Sequence, residues 1–195
     1  MKQATLLAAF TAFVLVSRAM PVNTNNQYGI GISGDTSMMK YSDVREMLQD
    51  ILDVTGLQTD IKLKEADVLN IEASISHRKR YISYNPTYIA SLNKITRNKW
   101  SVMTLLAHEV GHHLNGHTIR KGGSTPELEL EADEFAGFIL QKLGATLQES
   151  QNVMHYISKA QESRTHPAKN SRLDAIEKGW NKAAAAEQIN ATARQ

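Results

Sequence analysis

The sequence predicts an α+β fold, mainly helical, with a small antiparallel sheet ahead of a helix that carries His108-Glu109-Val110-Gly111-His112. An acid-bearing helix is expected to follow it. Three observations predict this. Apolar residues recur at i, i+3, i+4 and i+7 in several windows, the period of a helix with one buried stripe. Between residues 61 and 84 they come instead at short, strand-like spacing. Gly and X-Pro steps punctuate the boundaries.

The elements follow in order. Met1-Lys2 is a short basic start, Leu6 to Val16 is almost wholly apolar, and Ser17-Arg18-Ala19 supplies small residues where a signal peptidase reads. Residues 1–19 therefore read as a secretory signal peptide cleaved after Ala19. The run is shorter than the about 20 residues of a membrane-spanning helix, and no later segment is apolar enough to span. Residues 20–41, rich in Asn, Gly and Ser, read as a flexible lead-in. They contain Gly29-Ile-Gly31-Ile-Ser-Gly34, which matches G-x-G-x-x-G. The dinucleotide reading is rejected, because no βαβ unit surrounds the motif.

One domain is expected over residues 42–182, with a tail at 183–195. Asp43 to Thr55 is a helix with Val44, Met47, Leu48, Ile51 and Leu52 on one stripe, Asp43 and Glu46 as a capping box and Gly56 as its stop. Ile61/Leu63, Ile71/Ala73/Ile75 and Tyr81/Ile82 predict the antiparallel sheet, with His77-Arg78-Lys79 as a turn. Asn85-Pro86 starts a helix to about Leu92. The next runs from Ser101 to about Asn115, half-buried through Leu105, Leu106, Val110 and Leu114. Ser124 or Thr125 caps another that ends at Leu143-Gly144. Leu147 to Gln161 and Lys169 to Lys178 complete the set, and the chain from Ala183 either extends the last helix or frays.

Composition narrows the chemistry. There is no cysteine, so neither a disulfide nor a thiolate ligand is available. Loss of the leader removes two of the 22 basic residues, leaving 20 against 20 acidic ones. A formally neutral mature chain gives no reason to expect nucleic acid as a partner.

The centre of the chain carries the chemistry. His108 and His112 lie one turn apart on one helix face and can direct both imidazoles at one metal ion. Glu109 is rotated by about 100°, within reach of a water on that metal. Two imidazoles and a neighbouring carboxylate suit zinc-assisted hydrolysis. A catalytic site takes a third protein ligand, and His113, His117, Glu127, Glu129, Glu131, Asp133 and Glu134 are the candidates. His113 faces away from His112 and is expected at the surface. A metzincin pattern would need Gly at position 115 and His at 118, where this chain has Asn and Thr. His117 is left as a polar neighbour at the helix end. Glu129 and Asp133 share a face, so one can bind the metal while the other holds a ligand imidazole. Glu131 lies about 200° round the helix from Glu129 and is expected to point elsewhere, so that Glu131→Ala changes neither metal binding nor activity.

His108-Glu109-Val-Gly-His112, Glu129-Leu-Glu-Ala-Asp133 and Thr165-His166-Pro167 with Arg172 downstream resemble the gluzincin metallopeptidases of the HtpX and CAAX prenyl protease type. The likeness covers about residues 100–180. It implies a zincin-like fold, one zinc ion, Glu129 as third ligand, Asp133 as partner of a ligand histidine, and His166 near the metal. Those named types are embedded in membranes, and this chain is more similar to soluble exported members.

The expected function is a zinc metalloendopeptidase, exported to a periplasm or secreted, that cleaves exported or misfolded polypeptides. Glu109 serves as general base, with His166 as a second stabiliser of the oxyanion. An edge strand near Arg80–Tyr84 is expected to pair with the substrate backbone. The alternatives are a zinc-containing peptide-binding or chaperone-like module without cleavage, and a peptidase-like sensor domain. Glu109 speaks against the first and the leader against the second.

Overall fold

In the computed structural model, residues 9–11, 39–56, 60–120 and 123–192 are described. The fold is α+β and mainly helical. Most of the expected leader, and the whole Gly29–Gly34 motif, lie outside the described residues. Among the described residues no helix is long and apolar enough to cross a membrane.

The first helix, α1 (Tyr41–Thr55), buries Val44, Leu48, Ile51 and Leu52. It starts two residues before the expected position, because the Asp43 carboxylate accepts from the Lys40 main-chain N–H at 2.8 Å. Gly56 closes it in the left-handed region at φ 65°.

The sheet is mixed, which corrects the antiparallel expectation. Strand β3 (Ile71–Ser76) pairs antiparallel with β4 (Lys79–Tyr84), whereas β2 (Ile61–Glu65) pairs parallel with β4 from Ile61↔Arg80 to Glu65↔Tyr84. Periodicity assigns side chains to faces but is blind to neighbour and polarity. The β3–β4 link is a two-residue hairpin, with His77 and Arg78 both at positive φ. A fourth strand, β1 (Ala9–Thr11), pairs antiparallel with β3 through Ala9↔Ser74, Phe10↔Ala73 and Thr11↔Glu72. It lies inside the segment expected to be the leader. The order is β1-β3-β4-β2, so β4 is internal and is not the edge that the sequence suggested.

Helix α2 (Pro86–Thr96) begins as expected, with the Asn85 side chain accepting from the Thr87 and Tyr88 N–H groups. Helix α3 (Lys99–Leu114) is capped by Asn98, whose side chain accepts from Trp100 N–H. It is not the half-buried helix of the sequence reading: every residue from Ser101 to His113 is buried. It packs against α1 and α2, against β3 and β4, and against two later helices, α4 (Pro126–Lys142) and α5 (Leu147–Gln151). A helix with neighbours on all sides has no solvent face for a polar stripe.

Beyond α5 the expected helix to Gln161 breaks at Asn152, whose side chain donates to Ser101 Oγ at 3.3 Å. Only the short α6 (Met154–Ile157) follows. The last helix, α7 (Lys169–Thr192), runs well past Lys178. Ala183 is buried within it, so the expected tail begins inside a packed helix.

Three glycine contacts set the helix spacing that builds the site. A Cβ on Gly111 of α3 would lie 3.1 Å from the Phe135 ring and 3.2 Å from Ala132 Cα, so α4 crosses α3 closely there. A Cβ on Gly137 would lie 2.0 Å from Ile176 O, and one on Gly179 1.8 Å from Glu134 O. Helices α4 and α7 therefore meet backbone to backbone, which side chains would prevent.

Candidate metal centre

The α3–α4 crossing places two acids of α4 against two imidazoles of α3. His108 and His112 stand one turn apart with ring planes 86° to each other and Nε2 atoms 3.1 Å apart. Glu129 Oε2 lies 3.4 Å from His108 Nε2, and Oε1 lies 3.4 Å from His112 Nε2. All three residues are 1 % exposed. Adjacent corners of a tetrahedron around a metal with bonds of about 2.0–2.2 Å are about 3.3–3.6 Å apart. The nitrogen–nitrogen distance is a little shorter than that edge, and each nitrogen–oxygen distance, to a different oxygen of Glu129, matches it. The two imidazoles and the carboxylate thus stand close enough to share one cation, and Glu129 Oε2 has no hydrogen-bond partner. Among the described residues, this buried group of two histidines and one glutamate could hold a metal ion.

Different side chains support His108 and Glu129. Asp133, one turn beyond Glu129, accepts from His108 Nδ1–H at 2.8 Å, so in the neutral ring Nε2 is the nitrogen left to bind a cation. Arg172 of α7 clamps the same carboxylate through Nε at 2.7 Å and Nη2 at 2.8 Å. The backbone contact of α4 with α7 makes that reach possible. The Ser124 hydroxyl donates to Glu129 Oε1.

Charge distribution follows from this. Burial opposes the charged form of Asp133, yet Arg172 and His108 hold its carboxyl below the ordinary range. Burial likewise opposes charge on Glu129, and hydrogen bonds and charge from His108 and His112 outweigh it, well below the usual value. At His108 burial is outweighed by Asp133 and Glu129, which push it up to about 10. Burial pushes His112 down to about 4 despite Glu129. Glu129 and Asp133 thus favour positive charge at His108.

Glu109 differs from every other acid here. It is 1 % exposed and neither oxygen has a hydrogen-bond partner. Burial raises it to about 8, with His108 opposing and Glu129 adding to the rise. The main chain at Ala73 of β3 is near enough to lower it in part.

The remaining candidates separate clearly. His166 is half-buried, its Nδ1 2.7 Å from Thr165 Oγ1. Burial lowers its pKa, and Glu129, Arg172 and His108 act on it electrostatically. It is not part of the group of three. Glu127 is at the exposed start of α4, and Glu134 pairs with Lys178 and Lys182 on the α7 side.

Three sequence expectations need correction. His113 is 1 % exposed rather than at the surface, with Nε2 2.9 Å from Tyr81 O and Nδ1 3.3 Å from Thr118 Oγ1. The sheet covers the face on which the sequence placed solvent. His117 is no loose neighbour: it is fully buried, with Nδ1 2.9 Å from His112 Nδ1. Glu131 does point away from the group of three, but onto His117, with Oε2 2.9 Å from Nε2. Sequence reasoning also gave Tyr88 no role, yet its buried hydroxyl lacks a hydrogen-bond partner and feels the Arg172 charge. Spacing along one helix carries no signal for either His117 or Tyr88, since tertiary packing places both.

No protein family, curated protein or solved structure matches the chain. The chemistry of the centre therefore rests on its own residues.

Proposed function

We propose that the protein is a zinc-dependent metalloendopeptidase acting on exported or misfolded polypeptides. His108, His112 and Glu129 are its zinc ligands, and Glu109 is its general base. The observation that carries this reading is Glu109: a buried carboxylate without a hydrogen-bond partner, next to a three-ligand group. A metal held only for structure closes its shell with four ligands and has no use for such a group. Bound zinc supplies Lewis-acid polarisation of a carbonyl and lowers the pKa of a water to about 7.

The chain's own residues do the rest. Glu109 takes the proton of the attacking water and passes it to the leaving nitrogen. Burial, which raises its pKa to about 8, suits it to holding that proton near neutrality. Asp133, locked by Arg172, keeps the His108 ring in one tautomer. His166, on the loop before α7, is assigned to the oxyanion that develops on the scissile carbonyl. An extended polypeptide adds to the sheet at β3, the strand beside Glu109, where the chain's own β1 pairs. On this reading the leader directs export, and cleavage after Ala19 removes β1 from that edge.

The test is cleavage of a reduced, unfolded protein by the purified chain. Cleavage is expected, lost on treatment with a strong chelator and restored by stoichiometric zinc. Undiminished cleavage by metal-free protein, or none by zinc-loaded protein, would overturn the reading.

A further inference from the structure

We propose that His117 and Glu131 form a relay that fixes which nitrogen of His112 is free to bind metal. The proposal rests on the metal-centre reading above. Asp133 touches one ligand ring directly, at His108 Nδ1. The corresponding atom of the other ligand, His112 Nδ1, faces a second imidazole, His117 Nδ1, at 2.9 Å, and His117 Nε2 in turn faces Glu131 Oε2 at 2.9 Å.

The hydrogens of that chain have one consistent arrangement with metal on His112 Nε2. A neutral imidazole carries one ring hydrogen. With Nε2 bare, the His112 hydrogen sits on Nδ1 and donates to His117 Nδ1. The His117 hydrogen must then sit on Nε2, where the Glu131 carboxylate accepts it. Without that acceptor, His117 is free to place its hydrogen on Nδ1. His112 would then need a bare Nδ1 and a protonated Nε2, which cannot ligate. Glu131 thus acts through His117 on His112, as a positioning residue remote from the metal.

Local structure explains why the chain can do this. Gly116 adopts φ 73° and turns the backbone at the end of α3. A single 3-10 turn over His117–Ile119 then folds His117 back beneath the helix, fully buried. Glu131 comes from α4 with its side chain 55 % exposed, so the relay ends at solvent. That exposure makes Glu131 separable from the core, and it reverses the sequence expectation that Glu131→Ala is silent.

The experiment compares full-length wild type, Glu131→Ala, Glu131→Gln and His117→Phe by zinc affinity in chelator competition. Melting of the apo proteins and ring 15N–1H correlation spectra of the zinc form accompany it. Expected are a hydrogen on His117 Nε2 and one on His112 Nδ1 in wild type. Glu131→Ala and His117→Phe should bind zinc about 10- to 100-fold more weakly, the usual cost of losing an outer partner of a ligand. Glu131→Gln keeps an acceptor oxygen and should stay near wild type. Apo Glu131→Ala should melt as wild type does, since that side chain is largely exposed, which makes its zinc affinity the deciding value. Wild-type zinc affinity in folded Glu131→Ala, or a hydrogen on His117 Nδ1, would overturn the relay while leaving the metal centre standing. So would an apo melting loss in Glu131→Ala large enough to account for its weaker binding. A wild type that binds no zinc would overturn both.

Discussion

Glu109→Gln is expected to keep its zinc and to cleave unfolded polypeptide about 10²- to 10⁴-fold more slowly, the range that a positioned general base contributes. The amide is nearly isosteric and cannot accept the proton of the water. Glu109 is not among the three residues whose ligand atoms converge, so metal binding should not depend on it. A structural residue would show the opposite pattern. The carboxylate is buried without a hydrogen-bond partner, an arrangement that disfavours its charged form. Gln is uncharged at every pH, so the variant should melt no lower than wild type, least of all above about pH 8, where the buried carboxylate ionises, a stability–activity trade-off typical of active sites. Metal content by mass spectrometry, paired with initial rates on a reduced protein, checks this. A variant with zinc and an unchanged rate would remove Glu109 from the mechanism.

Glu129→Ala is expected to lose metal and activity together. It removes one of the three residues whose ligand atoms converge, and a carboxylate that lies 3.4 Å from each Nε2. The loss of affinity should exceed the roughly 100-fold upper cost of an outer-partner change. It should therefore be larger than the loss in Glu131→Ala, two residues away on the same helix. Zinc titration of both variants in one buffer decides the ranking. Stoichiometric zinc in purified Glu129→Ala would show that another residue serves as third ligand.

What was legible in the sequence depended on local geometry. The i, i+4 spacing of His108 with His112, and of Glu129 with Asp133, places each pair on one face of its helix whatever the tertiary fold. That α3 and α4 would cross with those faces together was a matter of resemblance, and its physical cause is Gly111 against Ala132 and Phe135. Caps such as Asn85 and stops such as Gly56 were legible for the same local reason. Strand polarity was not, since alternation in β2 is the same for a parallel or an antiparallel neighbour. Burial of His113 was hidden because its partner is a main-chain carbonyl, at Tyr81. His117 was hidden because its place depends on the turn at Gly116 and on Glu131 arriving from another helix. Arg172 was noted only as lying downstream; its grip on Asp133 depends on Gly137 and Gly179 letting α7 meet α4. The helix continued through Ala183 because α4 offers it a surface, with Lys142 paired to Glu187.

The most direct measurement is zinc K-edge X-ray absorption on the purified protein. The account predicts one zinc per chain, with two imidazoles and a carboxylate oxygen in the first shell at about 2.0–2.2 Å. A protein without stoichiometric metal, or a shell without imidazole scattering, would contradict it.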